Sequence, residues 1–411
     1  MEDRPLKVGL LTTEYHGYSA RGGIGSYTRQ VAAALLEGGH EPVVLLCNCG
    51  AERSLDGGVP VYGVKTSGWG AGLPFPIGRG NSLLLARKLA KLIRQLNLDI
   101  IEAPEFGGLT AFLDAPRDKK PCTVVRLHTC SALVRLANDT APRSLQERIL
   151  NSIIDCLERR AISKADAVTS ISNATSAATR KTLQLSRDDF VIIPNPVAEV
   201  FFTSGACRRP ETDGPVILLF VGRLEWRKGP DLLVRAFPDV LRKFPAARLC
   251  LVGGDTSTAP GNTSMLSYLR SLAPGHVLSR IDFVGPLRPE AVAEKYRLSS
   301  VCVFPSRWEG FGIVCAEAMA CGKPVIVPSN SGMAEHITHL GNAMLAPEND
   351  PAALANAVGD VLSNPNLSAS IGAAAQQYAR EHFHASAVAR LTTRVYRETL
   401  ACRERSDPYE G

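Results

Sequence analysis

The chain has 411 residues, 45% hydrophobic, 21% charged and 6% aromatic, a composition that suits two or three folded domains and excludes a disordered, collagenous or coiled-coil chain. Forty-six basic against 40 acidic residues leave a formal charge of +6, which suits a small anionic ligand but lacks the concentrated basic tract of a nucleic-acid binder, so no nucleic acid is expected as a partner. The eleven cysteines are thinly spread without C-x-x-C spacing and read as reduced core thiols; with neither a signal peptide nor a membrane-length apolar run of roughly 18 residues, a cytoplasmic protein is expected.

The first element is the apolar run 6–13, LKVGLLTT. A Gly-rich loop, a stretch of helical spacing at 26–41 and the strand-like 42–47 follow, and together they predict a βαβ unit. The alternation continues through a helix at 83–96 into a strand at 99–103, through a strand at 123–128, and through a helix at 145–165 into the strand-like 166–172. This is the pattern of a parallel sheet covered by helices. Between 194 and 215 the prolines 194, 196, 210 and 215 and the glycines 205 and 214 interrupt it. A second series then opens with the strand 215–222 and runs through 247–254, 281–286, 301–306 and 324–329. The expected fold is α/β, two Rossmann-like domains facing each other across a cleft, with boundaries at 1–197 and 198–385 and a last helical segment at 386–411. Ligands of such sheets bind at the carboxyl ends of the strands.

Three segments carry chemistry. Gly22, Gly23 and Gly25, in RGGIGSY, stand just before a helix, where exposed backbone N–H groups favour an anion. A plain turn with φ > 0 explains them equally well. In FVGRLEWRKGPDLL the strand ends at Gly222, and Arg223 and Lys228 flank the turn into a helix that Gly229 and Pro230 begin. Two cations there suit a diphosphate, against the alternative of ordinary surface charge. In EGFGIVCAEAMACGKPVI, Glu309 lies in a Gly-broken loop and Glu317 eight residues later inside a helix. On one helix they would be about 12 Å apart, too far for a glycosidase pair, so they address different parts of one extended ligand or are ordinary helix carboxylates.

Together these segments resemble glycosyltransferase family 4, the retaining transferases of GT-B fold that use sugar nucleotides. VGRLEWRKGPDLL is similar to the family's G-R-L-x-x-x-K-G segment, and Glu309 to Glu317 to its E-x7-E motif. RGGIGSY resembles its amino-terminal glycine loop, IIPNPV its interdomain segment, and RLHTC the strand end bearing its active-site histidine, here His128. Two positions depart from the pattern: Pro196 replaces the usual glycine after Asn195, and Met333 stands where a second glycine is common. The resemblance implies that Arg223 and Lys228 hold the diphosphate with the backbone of Gly22 and Gly23. It implies that Glu317 binds the ribose, Glu309 the transferred sugar, and the N–H groups of Phe311, Gly312 and Ile313 assist. The base would lie against Leu287, His128 near the reacting carbon, and the last helix back across the amino-terminal half. His128, Glu309, Arg223 and Lys228 are the expected catalytic residues.

The implied function is transfer of a sugar from a nucleoside diphosphate sugar to an acceptor hydroxyl on a glycan, a lipid-linked glycan or a small molecule, with retention and without metal or other cofactor. The alternatives are a sugar-nucleotide epimerase of similar fold and a non-catalytic sugar-nucleotide or glycan-binding protein. His382 and His384 are two apart beside a carboxylate but lack further ligands, so no metal is expected there. The helix 83–96 sets Arg87, Lys88, Lys91 and Arg94 opposite a leucine stripe, which suits either contact with the inner face of a membrane, aided by Trp69 and Phe75, or packing on the sheet.

Overall fold

The apolar run after Leu6 is strand β1 (Lys7–Thr12), and its interior residues are fully buried because neighbours flank it on both sides. The structure, a computed structural model, describes residues 4–15, 22–47, 54–64, 82–113, 121–142, 144–202 and 216–406. It divides into two units. The first takes residues 1–134, 142–196 and 385–411; the second takes 135–141 and 197–384. Residues 135–141 lie inside the sequence range expected for the first domain, yet they group with the second.

In the first unit, β1 leads into α1 (Gly23–Glu37), β2 (Glu41–Cys47), β3 (Ser54–Asp56) and β4 (Val59–Val64). There follow α2 (Ser82–Leu96), β5 (Ile100–Pro104), β6 (Cys122–Leu127), α3 (Ser131–Ala137), α4 (Leu145–Lys164), β7 (Ala167–Ser170), α5 (Asn173–Leu183) and β8 (Phe190–Ile192). The eight strands form one sheet in the order β3-β4-β2-β1-β5-β6-β7-β8, parallel except for the β3–β4 pair. Ser144 and Ser172 cap α4 and α5 by accepting the N–H three residues on, as the sequence signature requires.

The amphipathic helix α2 spends its apolar stripe on the sheet: Leu85, Leu89 and Ile93 are buried among Leu11, Leu45 and Ile101. Of the two readings of that helix, the structure supports packing. Trp69 and Phe75 lie outside the described residues.

The second unit runs β9 (Ile217–Val221), α6 (Pro230–Lys243), β10 (Arg248–Val252), α7 (Met265–Ser271), α8 (Gly275–Leu278), β11 (Ile281–Gly285), α9 (Pro289–Leu298) and β12 (Val301–Val303). It continues through α10 (Ile313–Ala320), β13 (Val325–Pro328), β14 (Met344–Ala346), α11 (Pro351–Ser363) and α12 (Pro365–His382). Its six strands are all parallel in the order β11-β10-β9-β12-β13-β14. Central β9 pairs with β10 on one side and β12 on the other, so the carboxyl ends of these three strands emerge together. The last helix, α13 (Ala385–Ser406), returns to the first unit and packs on α1 and β6.

Seven described cysteines are buried as expected of core thiols, but Cys156 and Cys402 are exposed.

Candidate functional site

In the second unit, the chain leaves β9 through Gly222 into the segment 223–229. Leu224 is buried and its N–H donates to the Gly254 carbonyl at 2.8 Å, which fixes the segment beside the end of β10. Glu225, 2% exposed, is its hub. Its carboxylate accepts from Asn138 Nδ2 at 2.7 Å and Arg227 Nε at 3.2 Å, and pairs with Arg223 Nη2 at 3.1 Å. Burial opposes its charge, but Arg227 and Arg223 outweigh burial and hold the carboxyl below the usual range.

The two cations singled out in the sequence therefore differ. Arg223 has 62% of its side chain exposed. Lys228 is largely buried and donates to the Glu309 carboxylate, whose other oxygen lies 4.0 Å from Arg227 Nη1. Ordinary surface charge does not describe Lys228. Burial lowers its pKa, partly offset by Glu309, while Glu309 is held low because Lys228 and Arg227 outweigh its own burial. The two form a largely buried salt bridge.

Backbone geometry brings the two loops together. Gly229 has φ +65°, and a Cβ there would sit 2.1 Å from the Pro305 carbonyl oxygen, so only glycine lets the segments touch. Pro230 begins α6 at a position where its missing N–H costs nothing. Arg307 clamps the contact: it donates to both Asp231 oxygens at 2.7 Å and lies 3.9 Å from the Trp226 ring centroid. Glu309 is thereby carried on a fixed loop, and its carbonyl accepts the Gly332 N–H at 2.8 Å.

That loop ends in Gly312, at φ +84°, from which α10 starts with no side-chain cap; the N–H groups of Ile313 and Val314 precede the first bond of the helix, which Cys315 donates to the Gly312 carbonyl at 2.9 Å. Phe311 is buried edge-on against His336 and Phe383. Met333, where the resembled pattern has glycine, is buried in the turn at Gly332–His336 and is absent from the positive-φ residues, so the turn does not require a glycine there. It lines a small pocket with Ser306, Glu309, Val314 and Cys315. Glu317 is on α10, half-buried, with the Tyr296 hydroxyl donating to it at 3.3 Å. Burial pushes its carboxyl up to about 8. Leu287 lies half-buried in the connection from β11 to α9.

In the first unit, Gly22 caps α1 with an extended φ of −149°. The left-handed explanation for these glycines is corrected: Gly22, Gly23 and Gly25 all lie outside that region. Close approach to backbone is the reason at Gly25. A Cβ on Gly22 would meet Glu14 Oε2 at 2.1 Å and one on Gly25 the Glu14 backbone at 3.1 Å, whereas Gly23 faces open space. His128 follows β6, is 8% exposed, and packs edge-on against Tyr27 with centroids 5.0 Å apart. Burial, with Arg126 adding to it, holds the imidazole well below its ordinary pKa, hence neutral.

The turn beneath His128 rests on a carboxyl pair that the sequence reading missed. Glu105 accepts the N–H groups of His128 at 2.9 Å and Thr129 at 2.6 Å, and Glu158 accepts those of Gly107 and Ser131 at 2.9 Å. Both are fully buried, which raises them to about 8 and about 7. Behind them Tyr27 and Tyr396 donate to Glu102 at 2.6 and 2.8 Å, and Arg126 reaches the Ile193 and Pro194 carbonyls and Asn195.

Asn138, Glu225 and Arg227 were also missed. Glu225 and Arg227 stood inside a quoted motif, but only their burial shows that they organise it. His384 pairs with Glu199 and His382 packs on Tyr378, and among the described residues no group of three or more His, Cys, Asp or Glu is placed to hold a metal.

A model of Glycosyltransferase Family 4 matches residues 21–199, and a model of Glycosyl transferases group 1 matches residues 208–378. A D-inositol 3-phosphate glycosyltransferase of Acidothermus cellulolyticus is 32% identical over 263 residues, 59% of this chain and 57% of that protein. The chain spans about half the length of the curated relatives it matches. Among solved structures, the sucrose-phosphate synthase of Thermosynechococcus elongatus superposes with a TM-score of 0.75 at 22% identity, covering 97% of this chain and 100% of that one. HepE of Anabaena, solved in complex with UDP-glucose, gives a TM-score of 0.65 at 18% identity over 97% of this chain and 100% of that one. At these identities the likeness carries the fold, which is GT-B.

Proposed function

The chain belongs to glycosyltransferase family 4, and from that premise we propose that it moves a sugar from a nucleoside diphosphate sugar to an acceptor hydroxyl with retention of configuration and without a metal. The observation that carries this reading is the Lys228–Glu309 salt bridge, with Arg227 beside it, where the segment before α6 meets the loop that leads into the uncapped start of α10. A cation and an acceptor side by side, next to helix N–H groups, match a ligand that joins a phosphate to a sugar.

Each residue then has a task. Arg223, held on one edge by Glu225, presents the rest of its guanidinium to the diphosphate, and Lys228 adds a second positive charge. Glu309 accepts from sugar hydroxyls. Glu317, whose carboxyl is protonated near neutrality, donates to and accepts from the ribose diol, and Leu287 offers apolar surface to the base. In the first unit, the open Cα of Gly23 lets an anion approach the start of α1, and the neutral ring of His128 can hydrogen-bond a ligand without adding charge.

Retention follows from same-face substitution. The bond from the anomeric carbon to the diphosphate oxygen breaks, the acceptor oxygen bonds to that carbon from the same side, and the acceptor proton passes to the leaving diphosphate. Arg223, Lys228 and the start of α10 stabilise the charge gathering on that leaving group, where preorganised dipoles act most strongly.

Thermal denaturation with a panel of UDP-, GDP- and ADP-sugars tests the donor assignment. A ligand that binds only the folded chain raises Tm. At least one sugar nucleotide is expected to do so, and its effect is expected to vanish in Arg223→Ala; no shift with any of them counts against the reading.

A further inference from the structure

Helix α4 leaves an apolar stripe outside the fold. Leu145, Ile149 and Ile153 are 71%, 54% and 41% exposed. Four-residue spacing places them on one side of the helix, over about 12 Å of its length. The inner side is used: Leu157, Glu158, Ala161 and Ile162 are buried. This is the reverse of α2, whose Leu85 and Leu89 are buried on the sheet.

The charged residues that α4 fully exposes have one sign. Every residue that α4 fully exposes is apolar, neutral or basic, with Arg148 and Arg159 along one edge of the stripe. The acids of the helix are less exposed, Glu147 and Asp155 half-buried and Glu158 fully so. A helix lying in a lipid interface needs this arrangement: apolar side chains that enter the acyl boundary, bordered by cations that meet anionic headgroups. A protein partner would select mixed polar rims and a broader apolar centre, whereas three residues in single file suit a flat, fluid surface.

We infer that α4 is a docking element for an anionic lipid surface, with Leu145, Ile149 and Ile153 inserting and Arg148 and Arg159 contacting headgroups. The inference stands on α4 alone, independently of the transferase reading. Three inserted side chains give a shallow contact, so the association is peripheral and reversible.

Co-sedimentation of the full chain with vesicles tests it, comparing pure phosphatidylcholine with a mixture containing about 30% phosphatidylglycerol. Binding is expected to the anionic vesicles and to weaken as salt rises from about 0.1 to 0.5 M. Ile149→Glu with Ile153→Glu should reduce the partition coefficient by at least roughly tenfold, and Arg148→Glu with Arg159→Glu by about fivefold or more for each cation lost. These side chains are exposed, so Tm should be unchanged; should the first pair unfold, the arginine pair still decides. Three results would each overturn the inference: no sedimentation with anionic vesicles, equal sedimentation of wild type and the arginine variant, or a dimer that Ile149→Glu disperses in a chain that ignores vesicles.

Discussion

Lys228 and Glu309, 81 residues apart in the chain, form an ion pair with only 14% of either side chain exposed. A pair so enclosed is costly to break from one side, because the remaining charge stays buried without its counterion. Lys228→Ala and Glu309→Ala should each lower stability by about 3 kcal/mol in urea unfolding, and the double variant by less than the sum. Each single variant should also lower kcat/KM by roughly ten- to a hundredfold. Additive losses would mean that the two groups do not act as one unit.

Arg223 separates binding from folding. Its side chain is mostly exposed but faces the buried Glu225 Oε2, so Arg223→Ala should lower stability by only about 1 kcal/mol. Loss of its charge-assisted contact should lower kcat/KM for the sugar nucleotide by roughly ten- to a hundredfold. Steady-state kinetics beside a urea titration checks both halves of the statement.

Asn138 acts on the same arginine through Glu225. Its amide donates to that carboxylate and its oxygen accepts the Arg227 N–H at 3.2 Å. Asn138→Ala should raise KM for the donor several-fold while leaving kcat nearly unchanged, since Glu225 loses one of the bonds that aim it at Arg223. An equal fall in kcat would assign Asn138 a different task.

This residue also marks the boundary of what sequence reveals. The alternation of strands and helices, the Gly229–Pro230 helix start and the loop position of Glu309 are local, and local spacing displays them. Asn138 meets Glu225 across 87 residues, and Glu105 meets His128 across 23 with no motif joining them. Side-chain contacts of that kind leave no periodic trace. Gly25 was visible as a glycine, but its reason, the approach of the Glu14 backbone, lies in tertiary packing.

The raised carboxyls set a pH dependence. Glu105, raised to about 8 and fully buried, binds its proton more tightly in the folded chain than in the unfolded one. Its contribution is complete below the unfolded carboxylate pKa near 4.5 and is lost as pH rises toward 8. Melting curves from pH 5 to 8.5 should therefore show Tm falling with pH, and the slope should flatten in Glu105→Gln. In kinetics, Glu317 should give a limb above about 8 in kcat/KM for the donor that Glu317→Gln lacks. His128, held well below its ordinary range, should give no limb near 6.5.

Turnover should survive chelation. Arg223, Lys228 and the start of α10 already place positive charge at the diphosphate in the proposed site, the task a divalent ion otherwise performs. Activity measured in EDTA should equal that with added magnesium; abolition by EDTA and rescue by magnesium or manganese would replace the cationic clamp with a metal.

The stereochemistry of the first product tests the proposed reaction most directly. Proton NMR during turnover of an α-linked sugar nucleotide, read before any anomer can equilibrate, reports the new linkage. An α-glycoside is expected, because attack and departure share one face of the sugar; a β-glycoside would contradict same-face substitution and the retaining transferase with it.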